Sequence, residues 1–186
     1  MSSSQFSELS SSIYLPLFNR AVNGQYAPGS TFKPVVGLAG ISSATTDWDE
    51  TIEDKGWFKL PGQDRVYRDW SWTKDNSGGQ GEVNLHRAIY RSSNVYFYDL
   101  ASRMEVDSLL GFAGQFGFGR NLALDIPQAS SGLLPTPEWK RNVKNQPWYP
   151  GDSVNLGIGQ GDLLATPLQM ATVAATIANR GRVVRP

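Results

Sequence analysis

Ser30 and Lys33 stand one helical turn apart in YAPGSTFKPVV, residues 26–36, just after a Pro-Gly turn. A serine hydroxyl is a poor nucleophile until a base takes its proton. A lysine amine can be that base when burial or a nearby positive charge lowers its pKa. Positions i and i+3 of a helix share a face, so the two side chains would meet. A helix N-terminus there would favour the charge that develops on an attacked carbonyl oxygen. Alone, S-x-x-K reads better as a capping serine beside a solvated first-turn lysine.

A second pattern lies at Ser92-Ser93-Asn94, between two runs with helical apolar spacing. Serine-lysine acyl transferases use such a triplet as their second element. The plain alternative is a helix break whose Ser and Asn cap the next helix.

These residues sit in 186 residues, enough for one domain with a real core. Seventeen acidic residues balance seventeen basic ones, which excludes a basic nucleic-acid footprint. Zero cysteines exclude disulfides and thiolate metal sites, and fit an extracytoplasmic protein. A Ser-His-acid triad would have to use His86, the single histidine; we read it as an ordinary helix residue. No apolar run approaches the roughly 20 residues of a membrane helix. MSSSQFSELSSS lacks a signal-peptide core, and residues 1–14 are expected to be loosely ordered.

The elements that must position the chemistry follow from periodicity and punctuation. GSTFKPVVGLAGISSA predicts a turn into a helix of about three turns, with Pro34 tolerated near its start. Residues 56–70 read as short extended runs split by Pro61-Gly62, and 71–83 as a glycine-rich loop. Helices are expected over 84–92, 95–104 and 106–119, the last capped by Asp107 and stopped by Gly117 or Gly119. Residues 125–153 read as loop with a short helix near TPEWKR. Thr166, Pro167 and Gln169 predict a capped helix ending at Gly181. Its Leu168, Ala171, Ala174, Ala175 and Ala178 suggest close packing on another helix. Trp57, Tyr67, Trp70 and Trp72 are read as packing around a loop-rich subdomain. GIGQG, 157–161, lacks the Lys-Ser/Thr of a phosphate loop.

PLFNRAVNGQYAPGSTFKPV resembles the first active-site motif of class B penicillin-binding proteins, nearest their elongation-type penicillin-binding protein 2 subfamily. GWFKLPGQDRVYRDW, RSSNVYFYDLA, LPTPEWKR and PWYPGDSVNLGIGQGDLLATPLQMA resemble that subfamily in the same order. The resemblance covers nearly the whole chain from about residue 15. It implies an α+β, mainly helical fold: the helical lobe of the penicillin-recognising serine transferase (β-lactamase/transpeptidase-like) fold, with most of its five-stranded sheet missing. Residues 1–186 would be a partial transpeptidase domain.

The resemblance further implies Ser30 as acylated nucleophile, Lys33 as its general base, Ser92 as proton shuttle and Asn94 as substrate- and lysine-binding partner. The activity implied is peptidoglycan D,D-transpeptidation on stem peptides ending in D-Ala-D-Ala, with β-lactams acylating the same serine. No cofactor is implied, and no nucleic acid. The implied setting is the bacterial envelope, on the periplasmic face of the inner membrane. The implied partners are a glycan polymerase of the shape, elongation, division and sporulation (SEDS) family and other elongation-complex proteins.

Two departures qualify it. The family's Lys-Thr-Gly or Lys-Ser-Gly triplet does not occur in residues 1–186, and the anchor and first sheet strands are expected to lie outside the chain. A lost oxyanion donor costs about a hundred- to a thousand-fold in rate. A catalytically inert lobe acting only as a folding or interaction fragment is therefore the first rival reading; a β-lactam sensor or β-lactamase of the same fold is the second. Some relatives bind zinc through two aspartates, a histidine and a cysteine. Here Asp54 and Asp69 match the aspartates, Ser93 replaces the cysteine, and the SWTKDNSGG loop lacks histidine, so no structural zinc is expected.

Overall fold

A computed structural model describes residues 1–186 except Asn76, Leu124, Pro127 and Arg185. The core is built around one helix, α5 (Asn94–Arg103), which buries Val95, Tyr96, Phe97, Tyr98, Leu100 and Ala101. Apolar residues on nearly every side require neighbours on every side. Those neighbours are α3 (Lys33–Ser42), α4 (Leu85–Arg91) and α8 (Pro150–Gly157). Contact with α8 is close because Gly157 has no side chain. A Cβ there would lie 2.5 Å from Ala101 Cβ and 2.8 Å from the Phe97 carbonyl oxygen. Below them α6 (Val106–Gln115) packs on α3. Phe32 and Phe118 meet edge to face at 5.0 Å. Full burial of such side chains stabilises by about 1.5–3 kcal/mol each.

The strands form two small antiparallel sheets. β1 (Thr51–Asp54) pairs with β4 (Gly81–Asn84), and β2 (Trp57–Lys59) with β3 (Val66–Arg68). Pro61-Gly62 turns the second hairpin, with Gly62 at φ 71° and the Gln63 N–H on the Leu60 carbonyl. This matches the extended runs expected over 56–70. The expected loop at 71–83 is shortened by β4, because Ile52 and Val83 pair across the sheet. The α+β, mainly helical lobe expected from the sequence is what the chain forms.

Several boundaries differ from expectation. Residues Ser3–Ser11 form helix α1, held by a Ser2–Gln5 capping box, yet none of its residues is buried. A short α2 (Arg20–Asn23) follows. Glu105, not Asp107, is the N-cap of α6, and Asp107 lies in its first turn. The helix near TPEWKR is α7 (Pro137–Lys144), capped by Thr136. A second helix, α8, starts inside the stretch read as loop. Its first-turn Asp152 accepts the Tyr149 N–H and pairs with the Lys140 ammonium, a tertiary partner with no periodic signature.

The C-terminal helix α9 (Pro167–Ala178) has the expected Thr166–Gln169 capping box. It buries a different stripe from the one expected: Gln169, Thr172, Val173 and Thr176, while Ala171, Ala174 and Ala178 are exposed. The reason is a polar anchor. Gln169 Nε2 donates to the carbonyls of Gly117, Arg120 and Ser131 at 2.8–3.1 Å. Two N–H groups shared among these three carbonyls, one of them buried, outweigh covering a few methyl groups. No helix among the described residues is long and apolar enough to cross a membrane.

Candidate active site

Ser30 lies in a 3-10 turn, Gly29–Phe32, that runs into α3. Pro34 falls in the first turn of α3, where no helical N–H is needed. The backbone ahead of the serine is fixed from two directions. Tyr26 exchanges both backbone hydrogen bonds with Ala165, and the Gly29 N–H donates to the Gly159 carbonyl at 2.8 Å. Gly159, at φ 70°, comes so close that a Cβ would lie 2.2 Å from the Gly29 oxygen. Gly159 of GIGQG thus serves close backbone approach beside Ser30, while Gly157 serves close packing on α5. The sequence carries no sign of this role beyond three closely spaced glycines without phosphate-loop partners.

Lys33 and Ser30 occupy opposite environments. Ser30 is exposed, whereas Lys33 is 1% exposed. The ammonium of Lys33 donates to Asn94 Oδ1 at 2.6 Å, to the Ser92 carbonyl at 2.8 Å and to Ser92 Oγ at 3.1 Å. Ser92 Oγ in turn lies 2.9 Å from Ser30 Oγ. The expected meeting of Ser30 with Lys33 is therefore made through Ser92. All four residues singled out in the sequence come together at this point.

The Ser92-Ser93-Asn94 turn is shaped for the task. Ser92 ends α4 in the left-handed region at φ 55°, a costly conformation for a serine. Ser93 begins α5 as its N-cap, its Oγ accepting the Tyr96 N–H at 3.2 Å. The capping reading of this triplet and its proposed chemistry coexist, on different residues.

Burial pulls the Lys33 pKa down to about 8, against the partial upward pull of Asp69 and Asp54. The Phe97 ring lies 5.5 Å from Nζ in a cation–π contact. Such an amine holds a sizeable neutral fraction near neutral pH, the condition for accepting a proton.

Asp54 and Asp69 are both buried beside this turn. Their oxygens already accept hydrogen bonds. Asp54 takes Ser93 Oγ at 2.6 Å and the Gly56 N–H at 2.7 Å. Asp69 takes the Asn94 N–H at 2.8 Å, Ser71 Oγ at 2.6 Å and Gln80 Nε2 at 3.2 Å. Burial raises the Asp54 pKa, partly offset by its hydrogen-bond donors. Two carboxylates with a neutral hydroxyl and a carboxamide, and no imidazole or thiolate, do not make a zinc site.

The aromatic group divides. Tyr67 is buried against Phe58 and Tyr98. Trp57 and Trp72 are half-buried, with the Arg68 guanidinium 4.1 Å over the Trp72 ring. Trp70 is 70% exposed and does not pack as expected. His86 is exposed on α4, its ring 5.5 Å from that of Tyr90.

Comparison with known proteins adds three findings. Residues 1–186 match the family profile described as the penicillin binding protein transpeptidase domain. The chain is 44% identical over 181 residues to the Acinetobacter baumannii peptidoglycan D,D-transpeptidase MrdA, covering 97% of this chain and 26% of that protein. It therefore spans about a quarter of that relative's length. Among solved structures, it superposes on Pseudomonas aeruginosa PBP2 in complex with WCK 5153 with a TM-score of 0.92 and 45% identity, over all of this chain and 41% of that one. Helicobacter pylori PBP2, solved as a complex with MreC, gives a TM-score of 0.90 at 33% identity, over all of this chain and 33% of that one.

Proposed function

Because the chain belongs to the family of penicillin-binding protein transpeptidase domains, we propose that it carries the acyl-enzyme machinery of a peptidoglycan D,D-transpeptidase. Ser30 is the nucleophile, Ser92 the proton shuttle, Lys33 the base and Asn94 the residue that holds Lys33 and the substrate amide. The supporting observation is the chain of contacts from Ser30 Oγ to Ser92 Oγ to Lys33 Nζ, at 2.9 and 3.1 Å.

The reaction begins when Lys33 has lost a proton. Ser30 Oγ then attacks the carbonyl carbon of the penultimate D-Ala in a stem peptide ending in D-Ala-D-Ala. The Ser30 proton passes to Ser92 Oγ as the Ser92 proton passes to Lys33 Nζ. The Ser30 backbone N–H, at the start of the 3-10 turn, faces the developing oxyanion. The peptide C–N bond breaks, and the leaving D-Ala amine takes back the proton held at Lys33. An amine of a second stem peptide resolves the ester and frees Ser30. A β-lactam is opened by the same attack, but its leaving nitrogen stays tethered, so the acyl-enzyme persists.

We further propose that this chemistry serves cell-wall elongation at the periplasmic face of the bacterial inner membrane, a reading that the likeness to MrdA and PBP2 supports. The partners we propose are a SEDS-family glycan polymerase and an MreC-type protein.

The deciding experiment is intact-protein mass after incubation with a penicillin, beside a Ser30→Ala control. A gain of one β-lactam that vanishes in the control supports the proposal. No gain in a chain shown to be folded by circular dichroism means an inert lobe. A gain that decays within minutes to hydrolysed drug means a β-lactamase.

A further inference from the structure

Ser92 can relay a proton only while it is held in a conformation that serine disfavours. The end of α4 holds its backbone in part, through the Ser92 N–H on the Ile89 carbonyl and the Ser93 N–H on the Ala88 carbonyl. The two residues that follow are each tied to a buried carboxylate from a different sheet. Ser93, with no exposed surface, donates its hydroxyl to Asp54 at the end of β1. The Asn94 N–H donates to Asp69, the residue after β3. Asp69 is held in turn by Ser71 and Gln80. The Gln80 N–H also binds the Asp54 carbonyl, closing the loop between the two acids.

We propose that Asp54, Asp69 and Ser93 are positioning residues: a metal-free brace that fixes the Ser92-Ser93-Asn94 turn against Lys33. Buried carboxylates are costly to keep, and here each is committed to one residue of the turn. Metal coordination is not needed, since donors from both sheets and from the turn already occupy the carboxylate oxygens. The brace acts on the reaction through Ser92 and Asn94, and its catalytic consequence rests on the acylation reading above.

The test uses the full chain with Ser93→Ala and Asp69→Ala, which removes the acceptor of the Asn94 N–H. Amide hydrogen exchange is read at residues 92–96, with Val173 in α9 as an internal reference. In folded variants, exchange at Asn94 and Tyr96 is expected to speed up about tenfold or more while Val173 is unchanged. The acylation rate at saturating penicillin should fall about 10- to 100-fold with little change in the half-saturating concentration. Ser93→Thr, which returns the hydroxyl, should recover part of that loss. Added zinc or a chelator should leave exchange at 92–96 as it was. Unchanged exchange at 92–96 in both variants overturns the brace. So does acylation at the original rate in a folded variant, or stoichiometric zinc whose removal loosens the turn. If the unsubstituted chain is never acylated, the transpeptidase reading fails, and the exchange data still decide whether the brace exists.

Discussion

Ser92 Oγ lies 2.9 Å from Ser30 Oγ, and it is the hydroxyl through which Ser30 reaches the buried ammonium of Lys33, 3.1 Å further on. A base reached through a hydroxyl depends on that hydroxyl. Ser92→Ala should therefore slow penicillin acylation of Ser30 by about a hundred- to ten-thousand-fold, the range for losing a positioned proton carrier. Stability should change little, because alanine inherits the same left-handed backbone. Stopped-flow acylation beside a thermal melt separates the two effects. A folded Ser92→Ala protein acylated at the original rate would show that Ser30 hands its proton to Lys33 directly.

The low Lys33 pKa, about 8 against an ordinary 10.5, sets the pH dependence. In the proposed mechanism the active form is the neutral amine, so acylation should rise with pH and level off above about 8. Stability follows with a definite sign. Below about 8 both folded and unfolded chains hold the proton, and the folded chain bears the full cost of burying it. Between about 8 and 10.5 the folded chain releases the proton while the unfolded chain keeps it, so stability should increase with pH there. Urea melts across pH 7–10, with Lys33→Met as the control, would show whether that rise belongs to Lys33.

Gly159 tests the backbone clamp beside the nucleophile. Its φ of 70° and the 2.2 Å approach of a would-be Cβ to the Gly29 oxygen leave alanine no room. Gly159→Ala should cost about 1–3 kcal/mol from overpacking and strain, and should slow acylation by displacing Ser30. A melt shifted without any change in acylation would assign Gly159 to folding only.

How far the sequence alone carries can be judged from particular residues. Local spacing marked the four residues that meet, S-x-x-K on one turn and S-S-N at one helix break, but only the family resemblance gave them roles. The Thr166–Gln169 box and the Pro61-Gly62 turn were legible from local spacing as well. What stayed hidden depends on partners far apart in sequence. Asp69 on the Asn94 N–H and Gly159 on Gly29 join segments with no local signature. Asp152 is hidden likewise, because its Lys140 partner lies on another helix. The alanine stripe of α9 misled because a period of apolar residues ranks faces by hydrophobicity, whereas one buried glutamine shared among three carbonyls decided the rotation of the helix.

That last point can be measured. Gln169 accepts the Thr166 N–H on its oxygen and serves the Gly117, Arg120 and Ser131 carbonyls with its nitrogen, while 1% exposed. Leucine of similar volume would satisfy none of them and would leave these carbonyls unpaired, one of them buried, at about 1–3 kcal/mol for a buried group before relaxation. Gln169→Leu is therefore expected to destabilise the chain by at least about 2 kcal/mol despite raising its apolar content. Gln169→Glu should be similarly poor, since a carboxylate offers no donor to the three carbonyls. Ala171→Leu on the exposed stripe should change stability by less than about 0.5 kcal/mol. Urea midpoints for the three variants decide which face is buried. A stable Gln169→Leu protein with a destabilised Ala171→Leu one would restore the alanine stripe as the packed face of α9.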